Sequence, residues 1–460
     1  MDSEEAWQPA RLIPTSGING AEEQERRATS ALLAVITSVN ELGRRLTAPL
    51  GAPGGKIDTF IEVPFLLGEK KVIPDGLIRA TWGKKTWTAL VEVKTGDNEL
   101  KTEQLENYLD VAKARGYDAL ITISNQVPPA AGVHPTTVDK KKLIKVALHH
   151  WSWSEVLTEA VLQKEFRGVS DPDQAWILGE LIRYLEHPRS GALSFHDMGA
   201  AWVPVREAIT SGTLRKTDKG LADVTTRFDA LINFTCLLLG RRLGVRVTPE
   251  LPRTQAKDPA QRTNDLVDQL TNTSTMSATI RIQDVVAPIY IQVNLKAGQI
   301  VCSVEVLAPT TGRSTTRVNW LLKQLKETPD STRVESFVAR AREGAAELLG
   351  DVRSAPEKLV TVPNKEIVRF RVAQISRAGT KRGLGRNSFI ESVIDSVDSF
   401  YESVGQRLKP YVPPSPKYRE LNTTEATPQD VASSVAETSS GENISKVAPV
   451  LPREKLPTQE

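Results

Sequence analysis

The chain has 460 residues, of which 40% are hydrophobic and 25% charged, and its net charge is +3. This is the composition of an ordinary soluble protein, and the length predicts two or three domains. The small positive excess is compatible with nucleic acid but does not require it, so nucleic-acid binding has to be judged from local sites.

No targeting or membrane segment is recognisable. The N-terminus, MDSEEAWQPARLIP, lacks the basic start and apolar core of a secretory signal. The longest apolar run, LINFTCLLLG, is too short to cross a bilayer. Cys236 and Cys302 lie far apart without metal-ligand spacing, so neither a zinc site nor a disulfide framework is expected. The sequence predicts a soluble cytoplasmic protein without a membrane partner.

The N-terminal third alternates helical and strand-like patterns in the order α-β-β-β-α-β-β. The first helix has hydrophobic residues at three- and four-residue steps, and the second and third strands are joined by WGKK, a short hairpin turn. Gly116 suits the C-terminal end of the second helix. The predicted elements are helix Ala21–Leu46, strands Phe60–Leu66, Lys71–Thr81 and Thr86–Thr95, helix Asn98–Arg115, and strands Ala119–Ser124 and Lys142–Trp151.

In the rest of the chain, the sequence pattern predicts a helical stretch and a second α/β region, followed by a tail rich in Pro, Ser, Thr, Glu and Asn. That tail has too few apolar residues to order itself. The predicted division is a disordered N-terminus (1–20), a first α/β domain (21–155), a helical connector (156–199), an α/β accessory domain (200–410) and a disordered tail (411–460).

Three polar residues of the first domain form a set that suits phosphodiester hydrolysis. Asp75 lies in IPDG on the second predicted strand, and Glu92 and Lys94 lie in VEVK on the third. Because Glu92 and Lys94 are two residues apart, both side chains leave one face of the strand, while Val91 and Val93 point into the core. The hairpin can bring Asp75 beside them. A hard divalent ion held by carboxylates, with a nearby lysine, supplies the nucleophilic water and the charge relief that this hydrolysis needs.

This pattern resembles the PD-(D/E)XK nuclease superfamily. P-D-G on one strand is followed about seventeen residues later by E-x-K on the next, and Gln104 and Tyr108 on the following helix match the Q-x-x-x-Y element of the RecB-like and Cas4-like branch. The resemblance covers about 130 residues, from Glu22 to Trp153. It implies a restriction-endonuclease-like α-β-β-β-α-β core. Many RecB-like members have Asp where Glu92 stands, a substitution that is normal in the wider superfamily.

The resemblance also implies roles for the matching positions. Asp75 and Glu92, with the carbonyl of Val93, would hold Mg²⁺ or Mn²⁺. Lys94 would orient or activate the attacking water and offset charge in the transition state.

Further roles follow for the two flanking helices. Gln104 and Tyr108 would position the scissile phosphate or the metal shell. The family often places another acidic residue on the leading helix, for which Glu25 is the first candidate and Glu22 the second.

Each of these residues also has a plain structural interpretation. Asp75 would then belong to a turn, Glu92 and Lys94 would form an exposed cross-strand ion pair, Gln104 and Tyr108 a polar helix surface, and Glu25 ordinary N-terminal helix charge.

Other residues could contact nucleic acid or simply pack and face solvent. His149 and His150, next to two tryptophans, either touch nucleic acid or pack against the sheet edge. The basic groups either contact phosphates or form solvated surface. They are Lys84, Lys85, Lys140, Lys141 and Lys142, and the loop Gly379–Ser388 with Lys381, Arg382 and Arg386.

Three functions therefore remain open at this point. The first is a metal-dependent nuclease that cuts DNA, in defence against foreign DNA or in repair. The second is a catalytically inactive protein of the same fold that binds nucleic acid or regulates. The third is an interaction protein whose C-terminal domain forms a homo-oligomer. The sequence contains no Walker A motif, Rossmann glycine pattern or helicase motif.

Overall fold

Two β-sheets, of five and seven strands, organise this mixed α/β protein. The computed structural model describes residues 12–13, 20–129, 132–362, 365–413 and 415. The segments predicted to be disordered, 1–20 and 411–460, lie almost entirely outside the described residues. None of the described helices combines the length and the apolar character that crossing a bilayer requires.

The first sheet has the strand order β1-β4-β5-β6-β7, and a separate hairpin, β2-β3, lies beside it. Strands β1, β4 and β5 pair antiparallel, whereas β5, β6 and β7 pair parallel. The strands are β1 (Lys56–Ile61), β2 (Phe65–Leu67), β3 (Lys70–Val72), β4 (Gly76–Trp82), β5 (Lys85–Val93), β6 (Ala119–Ser124) and β7 (Ala147–Ser152).

Helices cover both faces of the first sheet, and its central strands are therefore almost wholly buried. One face packs against α1, α2, α4 and α5, and the other against α3. Two buried faces explain why LVEV and ALITIS are nearly continuous apolar runs. The helices are α1 (Ala21–Ser38), α2 (Asn40–Thr47), α3 (Thr102–Arg115), α4 (Trp153–Val161) and α5 (Pro172–Glu186).

Several predicted boundaries in this region are wrong. The helix expected over Ala21–Leu46 is interrupted at Val39, and the apolar residues of α2 beyond this break are buried in the core. The strands expected over Phe60–Leu66 and Lys71–Thr81 are each split. Pro64 and Pro74 lie at the two interruptions, where a residue without an N–H cannot continue a ladder. Strand Ala119–Ser124 and the end of α3 at Gly116 are confirmed.

The second sheet is entirely antiparallel, in the order β13-β12-β14-β11-β10-β9-β8. Its strands are β8 (Val247–Pro249), β9 (Thr275–Ile282), β10 (Ile289–Asn294), β11 (Gln299–Leu307), β12 (Arg333–Val338), β13 (Ala345–Leu348) and β14 (Ile367–Arg377). The helices of this part are α6 (Trp202–Ser211), α7 (Leu221–Leu243), α8 (Arg253–Lys257), α9 (Pro259–Thr273), α10 (Ser314–Gln324), α11 (Leu349–Ser354) and α12 (Phe389–Phe400).

The described residues up to Val412 belong to one compact unit, within which the two sheets have separate cores. Helix α5, which lies in the predicted connector, contributes Leu178, Leu181 and Tyr184 to the core of the first sheet. The division at residues 155 and 200 stays a prediction.

A buried ion pair joins α7 to α9 beneath the second sheet. The Arg262 guanidinium donates to both oxygens of Asp229, at 2.7 to 3.2 Å, and to the backbone carbonyl of Ser277 at 2.7 Å. Both side chains are about one-tenth exposed. Removing one partner would leave the other charge buried without compensation.

We expect Asp229→Ala to lower the free energy of unfolding by about 3 kcal/mol or more. The matched control is Asp223→Ala, which removes an exposed pair with Arg227 on the same helix and should cost about 1 kcal/mol or less. Urea unfolding of both variants checks this. Equal losses in the two variants would contradict the structural role of the buried pair.

Candidate active site

The residues Asp75, Glu92 and Lys94 meet where β4 begins and β5 ends. Gly76 pairs with Val91, so Asp75 and Glu92 are the next residues along the two antiparallel strands. Lys94 directly follows β5, and its N–H donates to the carbonyl of Ile123 at 2.8 Å. The register of one hairpin therefore brings the P-D-G and E-x-K elements together.

Asp75 is anchored to the end of β5 by its own carboxylate. Its Oδ2 accepts a hydrogen bond from the backbone N–H of Val93 at 2.7 Å. Burial raises the pKa of Asp75, and the hydrogen bond from Val93 opposes this. Gly76 allows α1 to pack closely here, because a Cβ at this position would lie 2.4 Å from the side chain of Leu33, which would have to shift.

Glu92 is the most deeply buried charged group of the site, with 1% of its surface exposed. It leaves the same sheet face as Leu90, which packs under α3, whereas Val91 and Val93 enter the opposite core as predicted. Burial, and then the negative charge of Asp75, raise the pKa of Glu92 to about 8. Neither carboxylate oxygen makes a hydrogen bond of good geometry within the described residues, although Oε1 has an ion-pair partner.

That partner is the ammonium of Lys94. Its Nζ lies 2.8 Å from Glu92 Oε1, 3.1 Å from the carbonyl oxygen of Val93 and 3.2 Å from Glu25 Oε2. Burial alone would lower the pKa of Lys94, but the neighbouring carboxylates, Glu92 foremost, outweigh it and the pKa is raised. Three oxygens from two elements thus converge on one cation.

Glu25 reaches this cluster from α1, as predicted, whereas Glu22 is exposed. Besides the contact with Lys94, Glu25 accepts a hydrogen bond at 2.5 Å from the amide of Asn98, in the segment between β5 and α3. The sequence reasoning missed Asn98, because it belongs to no motif and only the fold places it opposite α1.

Gln104 and Tyr108 face the same side of the site from α3. The Tyr108 hydroxyl donates to the carbonyl of Ile73 at 3.0 Å, and Gln104 Nε2 donates to the Tyr108 oxygen at 3.0 Å. Burial, and then the charge of Glu92, raise the pKa of Tyr108 above its ordinary value. The pair therefore holds the segment that leads into Asp75, rather than forming an unconnected helix surface.

A second polar cluster, also missed, crosses the neighbouring strands. Thr122 pairs with Glu92 on one side and His150 on the other. His150 Nε2 lies 2.9 Å from the carbonyl of Gln126, so it carries the hydrogen, and Nδ1 accepts from the Thr122 hydroxyl at 2.8 Å. His134 Nε2 lies 2.8 Å from the same hydroxyl. The three side chains tie the segment after β6 to the sheet.

The other basic and aromatic candidates lie apart from the carboxylates. Trp151 and Trp153 are buried in the core, in accordance with a packing role. Lys84 and Lys85 are exposed at the tip of the β4–β5 hairpin, the opposite end from Asp75. Lys142 is paired with Asp110 at 2.7 Å.

A metal at this site would have to use mixed ligands. Within the described ranges, no group of three or more His, Cys, Asp or Glu side chains is arranged to hold a metal ion. Asp75 and Glu92 supply two carboxylates, and the Val93 carbonyl is the adjoining oxygen, a set that suits a hard cation.

Comparison with known proteins adds no assignment. No family model matches this sequence, and no curated protein is similar to it.

The histidine cluster predicts a loss of stability in acid. Burial lowers the pKa of His150 from 6.5 to about 3, so the ring stays neutral in the folded protein while it gains a proton in the unfolded chain below pH 6.5. The contribution of the neutral His150 ring to the free energy of unfolding is complete above pH 6.5 and is lost as the pH falls toward 3. The slope reaches about 1.4 kcal/mol per pH unit.

Urea unfolding near pH 7 and near pH 5 tests this with His150→Gln. We expect the variant to lose less stability between the two pH values than the unsubstituted protein. His196→Gln is the control, because His196 is exposed. An unchanged pH dependence in His150→Gln would refute the prediction.

Proposed function

We propose that this chain is a metal-dependent nuclease of the PD-(D/E)XK type that hydrolyses phosphodiester bonds in DNA. The observation that supports this most directly is the convergence of Asp75, Glu92, the Val93 carbonyl and Lys94 at adjoining strand ends. Burying two carboxylates and a lysine is costly, and apolar residues in the same place would stabilise the fold at least as well. The charged cluster therefore indicates a functional role. Defence against foreign DNA and repair are the processes that such an activity would serve.

The order of elements supports the same proposal. Apart from α2, which directly follows α1, and the β2–β3 hairpin, the chain runs α1, β1, β4, β5, α3 and β6. This is the α-β-β-β-α-β order that the resemblance implies. The β2–β3 hairpin is an insertion between the first two of these strands. Its presence leaves the register between β4 and β5 intact.

The residues present fit a divalent cation. Both oxygens of Glu92 are buried and make no hydrogen bond of good geometry to the described residues, and Oε1 is in an ion pair with Lys94. A hard divalent cation suits buried carboxylate oxygens of this kind. Asp75, Glu92 and the Val93 carbonyl would hold Mg²⁺ or Mn²⁺. When bound, the ion would lower the pKa of a water molecule and offset charge on the phosphoryl oxygens.

The protein's own side chains have distinct tasks in this proposal. Lys94 carries a positive charge next to the carboxylates, where it orients the attacking water and stabilises the developing negative charge. Glu25 keeps the Lys94 ammonium in place by an ion pair. Gln104 and Tyr108 hold the backbone that enters Asp75 and thereby position the carboxylate that would bind the metal.

One observation favours a second function, nucleic-acid binding without hydrolysis. The Lys94 ammonium is already surrounded by oxygens of Glu92, Val93 and Glu25, so it occupies the position where those oxygens would receive a metal. If the ammonium kept these partners permanently, the cluster would be a neutralised structural site. Measurements of metal binding and of DNA cleavage distinguish the nuclease from the protein that only binds nucleic acid.

Lys94→Ala should reduce cleavage by about 100-fold or more, because removal of one stabilising group at a transition state costs that much. The assay uses plasmid and single-stranded DNA with Mg²⁺ or Mn²⁺, and EDTA should abolish cleavage. The matched control is Lys84→Ala at the exposed hairpin tip, which should cut normally. Equal activity in Lys94→Ala and the control would remove the nuclease proposal.

Calorimetric titration with Mn²⁺ should show a binding event that Asp75→Ala/Glu92→Ala lacks. The control is Glu22→Ala, an exposed acidic residue one turn from Glu25. If the unsubstituted protein binds DNA but neither binds metal nor cuts DNA, the second function is the correct one.

A further inference from the structure

An open cleft adjoins the candidate active site, between strand β3 and the first turns of α3. Its volume is about 460 Å³. We call it the lysine cleft. It is lined by Lys70, Lys71, Val72, Ile73, Lys101, Glu103, Gln104, Asn107 and Tyr108.

The lysine cleft has a positive surface. Three lysines line it against a single acidic residue, Glu103. Lys70 and Glu103 are 3.7 Å apart and both well exposed, which makes a weak pair. Lys71 and Lys101 are exposed and form no ion pair within the described residues. Their charges are therefore available to an anion.

The cleft and the candidate active site share two side chains of α3. Gln104 and Tyr108 line the cleft, and Tyr108 also donates to the carbonyl of Ile73, two residues before Asp75. An anionic polymer lying in the cleft would thus arrive at the carboxylates along the Tyr108 side. The lysines at the hairpin tip have no such connection, since β5 extends roughly 27 Å from Lys85 to Val93.

We propose that the lysine cleft binds the sugar-phosphate backbone of a nucleic-acid strand beside the bond that is cut, with Lys71 and Lys101 contacting phosphates. This rests on the proposed nuclease function and adds the path of the substrate. Contacts of this kind position a strand without reading its sequence. Binding in the cleft is therefore independent of sequence and sensitive to salt.

The test measures DNA binding without hydrolysis. Fluorescence anisotropy of labelled single-stranded and duplex DNA of about 20 nucleotides is recorded in EDTA, between about 50 and 200 mM NaCl. Lys71→Ala/Lys101→Ala is compared with Lys84→Ala/Lys85→Ala, which removes the same charge from the hairpin tip. Lys71→Arg/Lys101→Arg keeps the charge, and Glu103→Gln removes the acidic residue.

Loss of two phosphate contacts should reduce the salt slope by about 1.8 for duplex and about 1.4 for single-stranded DNA. At about 100 mM NaCl these slopes correspond to a fall in affinity of roughly 25-fold for single-stranded and 60-fold for duplex DNA. The hairpin-tip variant and the arginine variant should bind as the unsubstituted protein does, and Glu103→Gln should bind a few-fold more tightly. All substituted lysines are exposed, so thermal unfolding should be unchanged.

Three results would overturn the proposal: no DNA binding by the unsubstituted protein, an unchanged salt slope in Lys71→Ala/Lys101→Ala, or an equal loss in both double-alanine variants. Displacement of DNA by a mononucleotide at equal phosphate concentration would also overturn it, since the cleft would then be a nucleotide pocket. Failure of the nuclease proposal looks different. In that case the lysine variant still loses binding, but the unsubstituted protein does not cut.

Discussion

The burial of the Glu92 carboxylate is the constraint on which the first sheet depends. This group lies on the central strand β5 with 1% of its surface exposed, beside a second carboxylate, Asp75. A buried charge without a partner is strongly destabilising, and breaking such a pair costs about 3 to 5 kcal/mol. The Lys94 ammonium compensates part of this cost. The two apolar cores on either face of the sheet offset the remainder.

The residues around Asp75, Glu92 and Lys94 fix the backbone of this cluster more firmly than its charged side chains. The N–H of Lys94 donates to Ile123, and its carbonyl accepts from the indole of Trp153 at 2.9 Å. The N–H of Val93 is used by Asp75. These bonds fix the backbone of the cluster, whereas the Lys94 side chain is held by two ion pairs and one carbonyl contact, which can adjust when charge enters the site. Such a division, rigid backbone and adjustable charge, is what a site needs if it is to bind a cation and an anion together.

How much could be predicted depended on the range of the interactions. The placement of Asp75 beside Glu92 followed from one hairpin, whose register is a local property, and the two-residue spacing of Glu92 and Lys94 set their common face. Asn98 and the Thr122–His134–His150 cluster could not be predicted from the sequence. Their partners lie 12 to 73 residues away in the chain, and no characteristic spacing links them. The break at Val39 was missed for a similar reason: packing of α2 onto the core overrides a continuous helical pattern.

Charge balance connects the active site to the lysine cleft. The active site holds the three acidic side chains of Asp75, Glu92 and Glu25 against the single ammonium of Lys94, so by itself it repels a phosphodiester once these carboxyl groups are ionised. The lysine cleft has the opposite sign and begins at the next turn of α3. In the proposed function, a nucleic-acid strand is attracted by the cleft whether or not a metal is present. Its scissile phosphate approaches the carboxylates only once a divalent cation has offset their charge. Affinity for the strand and commitment to cleavage would then be controlled by different cations, the lysines and the metal.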